Sequence, residues 1–120
     1  MAQSASLAIL ENLVHMSRQD YPRGYAIVCA TIPDHVAILD HGLFLNSTIS
    51  PEERPKRAGD AWLISRKSAV LRVPSAVVDG EWNYLMNPLH LDFAQIAVDP
   101  PVAMQFDQRL FLIAGTAPPE

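Results

Sequence analysis

With 120 residues, 49% of them hydrophobic and 18% charged, the chain has the size and apolar content of one globular domain with a modest core. A formal net charge of −4, with its Lys and Arg scattered rather than clustered, argues against direct binding to nucleic acid or to an anionic membrane surface. One cysteine, Cys29, excludes an intrachain disulfide, and its neighbours Ile27, Val28 and Ala30 predict a buried, inert thiol of a reducing compartment. The start "MAQSASLAILENLVHMS" lacks the basic region of a signal peptide, and no run approaches the roughly 18 apolar residues of a membrane span. A soluble, cytoplasmic protein is expected.

Ser4 or Ser6 can cap a helix over about residues 5–17, where Leu7, Leu10 and Val14 share one face and Ile9, Leu13 and Met16 widen it. "DYPRG" at 20–24 supplies a turn. "YAIVCATIP" at 25–33 and "HVAILD" at 35–40 read as two strands around Pro33-Asp34, plausibly an antiparallel pair. From His41 to Ala58 the signals are turn and loop, interrupted by Pro51 and Pro55. A short helix over about Ala58 to Ser65 precedes a strand at 69–73 that runs into Pro74-Ser75. Another strand covers Trp82 to Met86, two more ("QIAVD" and "VAMQF") flank Pro100-Pro101, and "RLFLIA" closes the series. Strands outnumber helices without βαβ alternation, so the expected class is α+β with a mostly antiparallel sheet, in one unit over residues 1–120.

Several polar groupings suggest chemistry and then weaken. His35 and His41 would lie about 20 Å apart in a strand rising roughly 3.3 Å per residue, too far to share a metal ion. Ser75, His90 and Asp107 contain the residue types of a nucleophilic triad, but no G-x-S-x-G elbow surrounds the serine. Neither a P-loop nor a G-x-G-x-x-G loop is present to cradle phosphate.

Two residues resist dismissal. Glu11 falls about 40° from Leu7 and 60° from Val14 on a helical wheel, at the margin of the apolar stripe. Its plain reading is an i, i+4 partner for His15. Ser75 follows a proline that removes a ladder donor, so its plain reading is a bulge or an edge-strand turn. Asn83 and Asn87 read as turn formers around Pro88, Asp107 and Arg109 as a hydrogen-bonded pair, His90 as a surface histidine, and Trp62 and Trp82 as core anchors.

"SLAILENLVH" with Glu11 and His15, "GDAWL" at 59–63, "VPSAVV" at 73–78, "NYLMNPLHLDF" at 83–93 and "FDQRL" at 106–110 occur in a fixed order along residues 4–112. In that combination the chain resembles RES domains, a family named for an Arg, a Glu and a Ser, whose members are typically toxins of bacterial toxin–antitoxin pairs. The resemblance implies a fold similar to ADP-ribosyltransferase toxins and consumption of NAD by hydrolysis, phosphorolysis or transfer of ADP-ribose. It makes Glu11 the family glutamate, binding the ribose and opposing developing positive charge, and Ser75 the family serine, binding the nicotinamide amide or a ribose or phosphate oxygen. NAD is then a substrate, no metal is needed, and the partner is a helix-turn-helix type antitoxin, with a homodimer left open. The family Arg and a tyrosine precede the glutamate, whereas none of the ten residues before Glu11 is Arg or Tyr, and Arg18, Tyr21, Arg23 and Tyr25 all follow it. The expectation is therefore a single domain shortened at its N-terminus relative to the family. The two readings carried forward are an NAD-consuming toxin and a non-catalytic remnant that binds its antitoxin alone.

Overall fold

The computed structural model describes residues 1–16, 24–45, 48 and 50–111. Helix α1 spans Ala5–Leu13. Ser4, in extended conformation, caps it: its Oγ accepts from the Leu7 amide at 3.1 Å, satisfying one of the donors that a helix start leaves unpaired. The helix ends earlier than the apolar stripe suggests. The amides of His15 and Met16 donate to the carbonyls of Asn12 and Leu13, three residues back, so the last turn tightens and unwinds. Of the stripe only Leu7 is fully buried, while Leu10 and Val14 are exposed.

Helix α2 spans Arg54–Ser65 and starts four residues before its expected position. Pro55 lies in the first turn, where a missing N–H costs nothing because that donor has no intrahelical partner. Arg66 stops the helix in the left-handed region, at φ 54°. The buried face carries Ala58 and Trp62, and the Trp62 Nε1–H donates to Ser68 Oγ at 2.9 Å, which in turn donates to the Val70 carbonyl at 2.7 Å. Trp62 is thus a core anchor whose polar end is satisfied.

Among the described residues the strands, in chain order, are β1 Ala26–Ile27, β2 Ala30–Thr31 and β3 Ile38–Asp40 between the two helices, and β4 Val70–Pro74, β5 Trp82–Met86, β6 Ala97–Val98 and β7 Val102–Ala103 after them. The central sheet has the order β3-β4-β5, with β3 parallel and β5 antiparallel to β4. Met1 to Gln3 continue it along β5: Ala2 lies opposite Asn83, the Tyr84 amide donates to the Met1 carbonyl, and the Gln3 amide donates to the Trp82 carbonyl. Two antiparallel ribbons, β1 with β7 and β2 with β6, complete the strand pairing. The α+β class with mostly antiparallel pairing is borne out.

The pairing of 25–33 with 35–40 is not. Val36 donates its amide to the Pro33 carbonyl and buries its side chain with Ala69, Val70 and Ile96. That turn carries the chain into the core and delivers β3 alongside β4, leaving β1 and β2 to meet the strands flanking Pro100-Pro101. The 25–33 segment is itself broken at Val28 and Cys29, both exposed. The expected buried thiol is therefore at the surface, because the apolar run does not continue as one strand. Short 3-10 helices occupy His41–Phe44, Leu91–Gln95 and Gln108–Phe111. The start of the expected last strand is thus helical, its remainder lies outside the described residues, and so do residues 20–23 of the "DYPRG" turn. No helix among the described residues is long and apolar enough to cross a membrane.

Strand alternation sorts the central sheet. Val70 and Arg72 share one face with Met86, Tyr84 and Trp82, and Leu71 and Val73 share the other with Leu85 and Asn83. Helix α2 covers the second face, where a methyl added to Gly59 would lie 3.7 Å from Leu85 Cδ1.

Candidate functional site

Glu11 lies one helical turn beyond Leu7, whose burial turns this side of α1 toward the protein. Ser75 lies where β4 ends. Pro74 is the last residue in register, opposite Trp82, and the Ser75 amide adds one bond, to the Glu81 carbonyl at 2.8 Å. The chain then folds back so that the amides of Val77 and Val78 both donate to Ser75 Oγ at 3.0 Å. With both acceptor positions of the hydroxyl occupied, its proton points to Glu11 Oε1, 2.7 Å away. The side-chain amide of Asn83, on β5, donates to the same oxygen at 2.7 Å.

The end of one strand and the start of the next thus converge with a helix distant in sequence on one carboxylate. The hydrogen bond from Ser75, and after it that from Asn83, hold the Glu11 carboxyl below its ordinary value, because donors to the charged form stabilise it. His15, the helical neighbour that the spacing offers as a partner, makes no ion pair with Glu11 and contributes a smaller electrostatic pull in the same direction. The strand break and the contact with Glu11 are one feature, since the turn after Pro74 is what orients the hydroxyl.

A cleft of about 570 Å³ borders α1, lined in part by Ala8, Ile9, Asn12, Tyr25, Tyr84 and Phe106. Tyr25 and Phe106 meet edge to face at 5.4 Å. No Lys, Arg, His, Asp or Glu side chain lines it among the described residues. Ala8 and Asn12 flank Glu11 along the helix, so the cleft borders the carboxylate without containing it.

On the other face of the sheet, Arg72 stacks its guanidinium 3.9 Å above the Trp82 ring and pairs with Asp40 at 2.8 Å. Asp40 also accepts from the Gly42 amide at 3.0 Å, and its carboxyl is held low, first by Arg72. Trp82 is consequently half-buried under a cation rather than a core anchor. Sequence reasoning missed this grouping, since it depends on the parallel register of β3 against β4.

The remaining candidates separate. Ser75, His90 and Asp107 form no triad: Ser75 donates to Glu11, His90 Nδ1 accepts from the Asp92 amide at 3.0 Å, and Asp107 pairs with Arg109. That pair is exposed and two-pronged, with Asp107 lowered to about 2 by Arg109. His35 bonds Gln95, and no group of three or more metal-ligating side chains occurs among the described residues. Asn87 fixes its turn by accepting from the Leu89 amide at 3.0 Å, whereas Asn83 forms no such turn and serves Glu11 instead. A lone amide alternating with Trp82 and Tyr84 in a strand was the signal for that role. Arg18, Tyr21 and Arg23 lie outside the described residues.

The model of the RES domain matches residues 1–107. The chain is 30% identical over 115 residues to a protein named Prs ADP-ribosylating toxin from Sphingobium sp. (strain YBL2), an alignment covering 91% of this chain and 71% of that one. It is 33% identical over 96 residues to a protein named Toxin Res from Photorhabdus laumondii, covering 78% and 62%. A second protein named Toxin Res, from Yersinia enterocolitica, is 32% identical over 114 residues, covering 92% and 75%.

Proposed function

The chain belongs to the RES-domain family, and from that membership we propose that it is a toxin of a toxin–antitoxin pair that consumes NAD, with Glu11 as the carboxylate of the reaction. The observation that carries the proposal is the ionised Glu11 carboxylate held by Ser75 and Asn83. Breaking the nicotinamide–ribose bond builds positive charge at the anomeric carbon, as in other glycosidic cleavages through an oxocarbenium-like state. A carboxylate fixed beforehand opposes that charge without having to reorganise during the reaction, which is where most electrostatic catalysis arises. Nicotinamide leaves with the bonding electron pair, and ADP-ribose passes to water, phosphate or a protein side chain. The chemistry needs no metal, and the restraining partner in this reading is a helix-turn-helix type antitoxin.

One observation favours the second reading, a module that binds its antitoxin without turnover. The cleft beside α1 has no cationic side chain among the described residues to meet a pyrophosphate. Nicotinamide release from NAD by the purified chain separates the two. Turnover that falls at least about a hundredfold in Glu11→Gln, which keeps the shape and removes the charge, supports the enzyme. Parental turnover in that variant would remove Glu11 from the mechanism, and no turnover by the parent, with antitoxin still bound, would favour the module.

A further inference from the structure

The two hydrogen bonds to Glu11 are unevenly placed. Both Ser75 Oγ and Asn83 Nδ2 reach Oε1, each at 2.7 Å. A carboxylate oxygen has two lone-pair directions, so these donors fill Oε1. Among the described residues Oε2 accepts no hydrogen bond. The orientation of the Asn83 amide follows from chemistry, since its oxygen would repel the carboxylate and only its nitrogen can face it.

Asn83 is held as firmly as its target. It is the second residue of β5, in register with Val73 on one side and with Ala2 on the other. Its side chain therefore rests on a backbone with strand partners on both edges, whereas Ser75 rests on a turn. The two donors approach from separate elements, which fixes both the position and the plane of the carboxylate. Either bond alone would leave rotation about the last side-chain torsion.

We propose that Asn83 is a positioning residue of the carboxylate site: with Ser75 it occupies Oε1, so that Oε2 is the oxygen presented to a ribose hydroxyl or to the developing positive charge. The inference rests on the role given to Glu11 above. It also reassigns Ser75. Two backbone amides fill its acceptor positions and Glu11 takes its proton, so the hydroxyl acts through Glu11 and has no donor left for a nicotinamide amide or a phosphate oxygen.

The competing account is that Asn83 merely fastens α1 to β5. Turnover distinguishes the two: by linkage, losing a hydrogen bond to the ionised carboxylate moves its titration in either case, whereas only a positioning role lowers kcat while KM is kept. Other charges acting on Glu11 are His15, just beyond the end of α1, and the amino group of Met1, and both favour its ionised form. They are unchanged in the variants proposed.

The experiment follows the Glu11 side-chain carboxyl carbon by NMR through a pH titration of the full chain, assigned by its loss in Glu11→Gln. In Asn83→Ala the midpoint is expected to rise by about one pH unit. In Asn83→Asp it should rise further, because a like charge adds to the lost donor. Ser75→Ala should also raise it. Nicotinamide release measured on the same variants should lose about tenfold in kcat with KM within about twofold, the pattern of a contribution made in the transition state. Melting curves identify variants that fail to fold, and the nearly isosteric Asn83→Asp carries the test if Asn83→Ala does not fold. A midpoint equal to the parent's, or a parental kcat, in folded Asn83 variants overturns the proposal. A parent that releases no nicotinamide would sink the function proposed above while leaving the titration readable.

Discussion

Ser75 uses every hydrogen-bonding position of its hydroxyl, accepting from Val77 and Val78 and donating to Glu11, while being only 8% exposed. Ser75→Ala therefore strands two backbone donors and one carboxylate oxygen bond in a confined place. The expected cost is about 1–3 kcal/mol in urea unfolding at neutral pH. The Glu11 share of that cost depends on pH. Its folded value lies below the ordinary 4.5, so the stabilisation is complete above that value and is lost as pH falls through the folded value. The gap between parent and Ser75→Ala should narrow in acid, and a gap unchanged down to pH values well below 4.5 would show that Glu11 contributes nothing to it. At this scale pattern alone marked Glu11 at the margin of an apolar stripe and Ser75 after a strand-breaking proline, with an ion pair and a bulge as their plain readings. It was the resemblance to RES domains that joined them in one site. Asn83 was read as a turn former because asparagine so often is one, and its role depends on which element packs over β5.

Helix α1 carries Glu11 on nine residues, a length at which an isolated helix is marginal in water. The Ser4 cap and the burial of Leu7 are what hold it. Ser4→Ala should lower stability by about 1 kcal/mol through the lost bond to the Leu7 amide, while Ser6→Ala should cost less than half as much, since Ser4 is the residue that caps. Equal losses in chemical denaturation would contradict that assignment. The two helix starts show how far local signals reach. Both serines were suitable caps in sequence, and the extended backbone of Ser4 decided between them. For α2, Pro55 was read as an obstacle to helix, yet in the first turn it is compatible with one.

Across the whole molecule, β4 joins the parts. It bonds to β3 and β5, buries Val70 and Leu71 completely, and ends in the turn that presents Ser75. Leu71→Ala should cost about 2–5 kcal/mol, from lost transfer energy and the cavity left behind. Because the same strand sets the Ser75 turn, the proposed NAD turnover should fall at temperatures where the variant begins to melt and recover on cooling. Full turnover above the melting transition would separate the site from this sheet. The pairing that surrounds β4 was only partly legible. Strand 82–86 and its predecessor emerged at nearly their observed boundaries, but the partner of 35–40 did not, because Val36 turns into the core instead of forming a hairpin with the segment before it.

The sequence by itself determined the capped helix with Glu11 at the margin of its apolar stripe, the strand ended at Pro74 and the strand over 82–86. These follow from periodicities of 3.6 and 2 and from the fixed geometry of proline, which act over a few residues. Only the tertiary structure decided that β3 runs parallel to β4, that Arg72 lies on Trp82, and that Glu11 meets Ser75 and Asn83 across separations of 64 and 72 residues. Contacts of that kind depend on how packed faces dispose the ends of distant elements, and no local pattern encodes that disposition.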